Sequence, residues 1–308
     1  MLIVNCSRAR PGITRGTLQE SREMMRGTRP LLVVATLAVS LLACSRPPTN
    51  PNVNGWRFLP GHVEPLSFAA FRHSRPCWVY LPPGYIGSAT RYPVLYVNDG
   101  ASVLGDGNNA NRICEDLIRS GEIEPLILVA VSVPDSERFW DYAPWPDRYR
   151  GQVLGGGGDL YVRALRDTLK PEIDRRFRTR PDRAHTGIAG YSLGGLISAY
   201  AGFACDSTFG LVGAGSPTYG WGLGTPIYDF PEARSRSRLP LRYYQDSGFP
   251  DDNRIGFMEE LLVSRGFING IDLMSLTAEG AEHSFPAWEH RFPDMLRFLF
   301  KRSSAPAE

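Results

Sequence analysis

Apolar runs of strand length, each closed by turn residues, recur along the chain at residues 77–81, 93–97, 126–133, 184–189, 211–215, 241–245 and 273–277. Helical patterns lie between several of them, at 111–120, 159–177, 193–203, 253–265 and 286–301. The second of these places Tyr161, Leu165, Leu169 and Ile173 at four-residue spacing, so they share one face of a helix. Strands alternating with helices predict an α/β fold whose mostly parallel central sheet is flanked by helices on both faces. In such a sheet ligands bind beyond the carboxyl ends of the strands. No internal repeat is present, and the one low-complexity patch is the glycine run at 155–158.

At 308 residues and 43% hydrophobic content, the chain suits one large domain with a sizeable core. Its formal charge of +2 is weighted toward the front, where the first 43 residues hold six Arg and two Glu. The remainder is close to neutral and has no basic run, which gives no electrostatic case for a nucleic-acid partner. Residues 31–43 form an apolar stretch preceded by Arg26 and Arg29, too short to span a bilayer comfortably. It reads as a signal peptide covering residues 1–43, with Met24 or Met25 as an alternative translation start that gives an ordinary signal length. Leu41-Leu42-Ala43-Cys44 resembles a lipoprotein box, which makes Cys44 the lipidated first residue of the mature protein. That implies export to a bacterial cell envelope and membrane attachment through Cys44. Residues 44–55, rich in Pro and Asn, read as a tether, and residues 56–302 as the folded domain. Beyond the tether lie three cysteines, Cys77, Cys114 and Cys205, enough for one disulfide at most and at no metal-ligand spacing.

Gly190-Tyr191-Ser192-Leu193-Gly194-Gly195 falls between a strand pattern and an apolar helical run. A serine there sits on a sharp strand-to-helix turn with its hydroxyl exposed, and the flanking glycines leave room where strand and helix crowd together. Ser192 is therefore the candidate nucleophile. A serine hydroxyl needs a base within reach, itself oriented by a carboxylate.

After an elbow of this kind the acid and then the histidine follow in the chain. Of the five histidines only His283 and His290 qualify; His290 falls inside the last helical pattern, whereas His283 lies in a loop after the last strand. His283 is the candidate base. For the acid, the segment after the strand at 241–245 holds Asp246, Asp251 and Asp252. Asp251 is preferred, although Asp252 competes and would equally serve as a helix cap. The tetrahedral intermediate needs two N–H donors. Leu193 supplies one, and the turn Asn98-Asp99-Gly100-Ala101 supplies the other, from Ala101 or alternatively Gly100.

With these residues in place the chain resembles the esterase branch of the α/β-hydrolases that includes enterochelin esterases, feruloyl and acetyl-xylan esterases, and mycolyltransferases. The resemblance rests on Val79-Tyr80-Leu81-Pro82-Pro83-Gly84-Tyr85, on Tyr92 through Gly100, on Arg183 through Gly195, and on Gly280-Ala281-Glu282-His283 followed by Trp288 and Phe292-Pro293. In Asp246-Ser247-Gly248-Phe249-Pro250-Asp251, a Gly-x-x-Asp pattern assigns the acid to Asp251. The resemblance implies an α/β-hydrolase fold and a serine esterase that works through an acyl-enzyme with no metal or organic cofactor. It also implies a small-molecule or glycan-linked ester as substrate, with an acyltransferase or a ligand-binding lipoprotein as rival readings. The aromatic segment at 139–145, with Tyr219 and Trp221, is expected to be loop that either stacks on substrate or packs as a lid.

Overall fold

The computed structural model describes residues 63–70, 73–104, 109–222, 226–229, 239–248 and 254–302, with the backbone alone for residues up to 74. All of them fall in the unit Pro48–Glu308. The signal, tether and lipid-site readings, including Cys44, lie outside the described residues, as do Asp251 and Asp252.

Eight strands form one sheet in the order β1-β2-β4-β3-β7-β8-β9-β10. In chain order they are β1 (Val63–Ala70), β2 (His73–Tyr80), β3 (Val94–Asn98), β4 (Ile127–Val131), β7 (Thr186–Tyr191), β8 (Leu211–Gly215), β9 (Arg242–Gly248) and β10 (Leu273–Ala278). β1, β2 and β4 pair antiparallel, and every other neighbouring pair is parallel. A separate hairpin joins β5 (Pro146–Tyr149) to β6 (Gln152–Gly155). β3 stands between β4 and β7, so the chain winds outward in both directions from this point. The crevice at the carboxyl ends of β3 and β7 is thus a topological switch point.

The helices are α1 (Gly100–Leu104), α2 (Ala110–Arg119), α3 (Asp135–Tyr142), α4 (Gly158–Ala164), α5 (Lys170–Arg176), α6 (Leu193–Ala204), α7 (Arg254–Ser264) and α8 (Phe285–Leu299). Two apolar cores cover the two faces of the sheet. Along β4, Ile127, Val129 and Val131 face one core, while Leu128 and Ala130 face the other. Alternation of side chains on a strand buried on both sides explains why this segment is apolar without a break. α6 is buried from Leu193 through Phe203, as a helix apolar all round requires.

Two local features depart from the sequence expectation. The helix expected at 159–177 is interrupted by a π-helical turn, Leu165–Leu169. Pro171 follows and has no N–H to offer a carbonyl one turn back, and the wider turn absorbs that mismatch. The aromatic segment expected as loop is helical through Tyr142 and then enters the hairpin. Cys77, Cys114 and Cys205 are all free and buried, so no disulfide joins them.

Candidate active site

Ser192 follows β7 directly and stands at the N-cap position of α6, with φ 59° and ψ −119°. That backbone is sparsely populated for a residue with a side chain and costs on the order of 1–3 kcal/mol. Three backbone hydrogen bonds oppose the cost: Ser192 N–H donates to Gly215 at 2.9 Å, and the Ser192 carbonyl accepts from Leu196 at 3.0 Å and Thr218 at 3.1 Å. At about 1 kcal/mol each they are of a size to hold it.

The glycines of the elbow are required by contact. A Cβ on Gly190 would lie 2.6 Å from the backbone of Gly194, and one on Gly195 would lie 2.8 Å from the Gly215 carbonyl. One on Gly194 would come within 3.0 Å of the Asp99 carboxylate.

His283 is exposed, in the loop between β10 and α8. Its Nε2 stands 3.1 Å from Ser192 Oγ, and its ring lies over Tyr191 at a centroid distance of 4.8 Å. Two features fix this loop. Ser284 caps α8 by accepting from the Ala287 N–H at 3.4 Å, and Gly248, at the end of β9, lets Ala281 approach closer than any side chain would allow. His290, the other histidine after the elbow, is exposed within α8.

The turn after β3 is bolted to the elbow by contacts that the sequence did not reveal. Asn98 is buried; its amide donates to the Gly194 carbonyl at 3.3 Å and to Ser198 Oγ at 3.0 Å, and its carbonyl accepts from Tyr161 at 2.7 Å. Asp99 has φ 59°, gives its N–H to Tyr142 Oη at 2.8 Å, and takes two bonds from Arg138 at 2.8 and 2.9 Å. Burial pulls the Arg138 guanidinium down, its bonds to Asp99 push it up, and the net shift is upward. A Cβ on Gly100 would lie 2.6 Å from the Ala130 backbone, so only glycine lets α1 start against β4. Ala101 is the exposed second residue of α1, and Leu193 the first of α6. Both residues therefore lie in the first turn of a helix.

Asp246 is fully buried at the carboxyl end of β9. Its carboxylate accepts from Arg291 at 3.0 Å, Tyr244 at 3.0 Å and the Ser216 N–H at 3.2 Å. Burial raises its pKa, with Arg291 acting against that. Among the aromatics, Tyr219 and Trp221 are buried and Trp221 donates to the Trp145 carbonyl at 2.8 Å, which makes them packing residues. Trp140 and Tyr149 remain substantially exposed. No helix among the described residues is long and apolar enough to cross a membrane.

The family described as "Putative esterase" matches residues 69–256, more than half the chain, and the protein is a member of it. The chain is 27% identical to the endo-1,4-beta-xylanase/feruloyl esterase of Xylanibacter ruminicola over 236 residues, covering 72% of this chain and 29% of that protein. It is 26% identical to the apo-salmochelin esterase of Escherichia coli O6:H1 over 244 residues, covering 71% of this chain and 72% of that protein. Among solved structures, the enterobactin esterase FES of Shigella flexneri in the presence of enterobactin superposes with a TM-score of 0.65 at 17% identity, covering 78% of this chain and 59% of that one. Likeness at that identity speaks to the fold. The alignments with three curated relatives span 56%, 29% and 49% of those proteins' lengths, about half or less in most cases.

Proposed function

We propose that the protein is a serine carboxylic ester hydrolase, and the observation that carries this reading is the 3.1 Å approach of His283 Nε2 to Ser192 Oγ on a strained strand-to-helix turn. Ser192 attacks the ester carbonyl while His283 takes its proton. The oxyanion that forms is met by the N–H groups of Leu193 and Ala101. As the intermediate collapses, His283 returns the proton to the departing alcohol and the acyl group stays on Ser192. Water, deprotonated by His283, then releases the acid and regenerates the serine. Asp251 is the carboxylate assigned to orient the imidazole.

Membership of an esterase family supports the reaction class. Relatives named feruloyl esterase and apo-salmochelin esterase make feruloyl and siderophore esters the first substrates to try. The test is a panel of p-nitrophenyl, feruloyl, acetyl-xylan and siderophore esters, run with and without alcohol acceptors. Release of free acid supports the hydrolase, transfer to the alcohol supports an acyltransferase, and no turnover on any ester contradicts both.

The same proposal places the enzyme in a bacterial envelope on a lipid at Cys44, supported by the apolar stretch and box at residues 31–44. Cys44→Ala is expected to abolish lipid attachment and membrane fractionation. Wild-type protein carrying no lipid on Cys44 by mass spectrometry contradicts it.

A further inference from the structure

Ser192 Oγ has a second polar neighbour. Thr218 Oγ1 lies 3.3 Å away, and the Thr218 N–H donates to the carbonyl of the same serine at 3.1 Å. Thr218 is half-buried and grips Ser192 twice, once at the backbone and once at the hydroxyl.

The segment that presents Thr218 is held with unusual thoroughness. After β8 ends at Gly215, Ser216 turns with φ 36°, in the left-handed region that a serine adopts only at a cost. Its N–H donates to the Asp246 carbonyl at 2.8 Å and to the Asp246 carboxylate, and its Oγ accepts from Arg291 at 2.9 Å. Arg291 donates in turn to Asp246, and that pair is buried. Burying two charges is expensive, and a hydrophobic pair of similar volume would often serve stability as well. Pro217 closes the turn against Gly195, where an added Cβ would lie 3.1 Å from Pro217 Cα. Strain, an ion pair and close packing thus converge on the three residues that end at Thr218.

A serine hydroxyl has one proton and two lone pairs. For His283 to act as base, that proton must point at Nε2. A second hydroxyl at 3.3 Å decides the matter if it is the donor: by filling a lone pair of Ser192 Oγ it leaves the histidine as the direction for the serine proton. We infer that Thr218 is a positioning residue, its hydroxyl donating to Ser192 Oγ and holding the serine proton toward His283, with the buried Asp246–Arg291 pair fixing the strained turn that presents it. Thr218 keeps its own proton throughout; the serine proton passes to His283 alone.

This inference rests on Ser192 being the nucleophile, and the experiment separates the two. The full-length protein is treated with a small dialkyl fluorophosphate, which phosphorylates an activated serine without filling an acyl pocket. Oγ bonds to phosphorus, fluoride leaves, and the serine proton goes to His283. Thr218→Val is expected to slow the second-order labelling rate about tenfold, the value of one lost hydrogen bond. Thr218→Ala should be slowed alike, and Thr218→Ser should stay within about twofold of wild type. Hydroxyl-free variants that label at the wild-type rate overturn the inference, and so does a Thr218→Ser variant as slow as Thr218→Val, which would assign the effect to shape. Wild-type protein that takes no label on Ser192 overturns instead the reading of Ser192 as nucleophile.

Discussion

Arg138 grips Asp99 through two parallel bonds of 2.8 and 2.9 Å, a fork-to-carboxylate contact that joins α3 to the turn after β3 across 39 residues of chain. Asp99 in turn abuts Gly194 of the elbow, so the clamp sets the spacing between the two strand ends that frame the switch point. Lysine can supply the charge at this position but not the planar fork. Arg138→Ala should lower stability by about 1–3 kcal/mol and reduce kcat more than it raises KM, with Arg138→Lys in between. Denaturation midpoints and steady-state kinetics check both. An alanine variant equal to wild type in stability and kcat would show that the clamp does nothing.

Ser192→Ala and His283→Ala should each lower kcat by about 10⁴-fold or more, with folding retained. Because the two residues act as a unit, the double variant should be hardly slower than either single one. Losses that multiply in the double variant would mean that the serine and histidine work independently.

Two glycines predict opposite outcomes for the same substitution. A Cβ at Gly190 would strike Gly194 backbone at 2.6 Å, and backbone there has nowhere to move. Gly190→Ala should therefore cost about 1–3 kcal/mol. Gly256, on α7, has nothing within 4 Å of an added Cβ, and alanine is the better helix former. Gly256→Ala should gain up to about 1 kcal/mol. Thermal melts of both variants settle the comparison, and equal shifts would contradict it.

Three asparagine variants should differ in kind. Asp251→Asn, at the assigned triad acid, should fold normally and lose about 10⁴-fold in kcat, as loss of the carboxylate does in a related triad. Asp252→Asn should remain active and change stability little, asparagine being as good a helix cap as aspartate. Asp246→Asn leaves the buried Arg291 without its counter-charge and should cost about 3–5 kcal/mol. Measuring kcat and melting temperature for all three decides the assignment: a large rate loss in Asp252→Asn with Asp251→Asn active would move the acid by one position.

The sheet and the elbow were legible in the sequence because their causes are local. β3, β4, β7 and β8 are apolar runs with turn residues at their ends, and the glycines around Ser192 mark a place where backbones meet. Chain order and a loop position favour His283 over His290, and the fold brings His283 Nε2 to 3.1 Å from Ser192 Oγ. What stayed hidden depends on partners far apart in the chain. Arg138 and Asp99, or Arg291 and Asp246 at 45 residues' separation, show no pattern until the fold brings them together. Thr218 looked like any residue after a strand, since its contact with Ser192 is made by the turn at Ser216. α3 was missed because its aromatic residues follow no single apolar face: Tyr142 is buried and Trp140 is exposed. β1 and the β5–β6 hairpin were missed as well; Pro146–Tyr149 is mostly polar and exposed, without the apolar alternation of a half-buried strand.

The central claim, that Ser192 carries the acyl group, is tested most directly by trapping it. Full-length protein is mixed rapidly with p-nitrophenyl acetate, quenched in acid during turnover, digested and read by peptide mass spectrometry. The expected result is an acetyl group on Ser192 that forms as fast as p-nitrophenol is released and is absent from Ser192→Ala. An acetyl group on a different residue with Ser192 unmodified, or wild-type turnover by Ser192→Ala, would contradict the account.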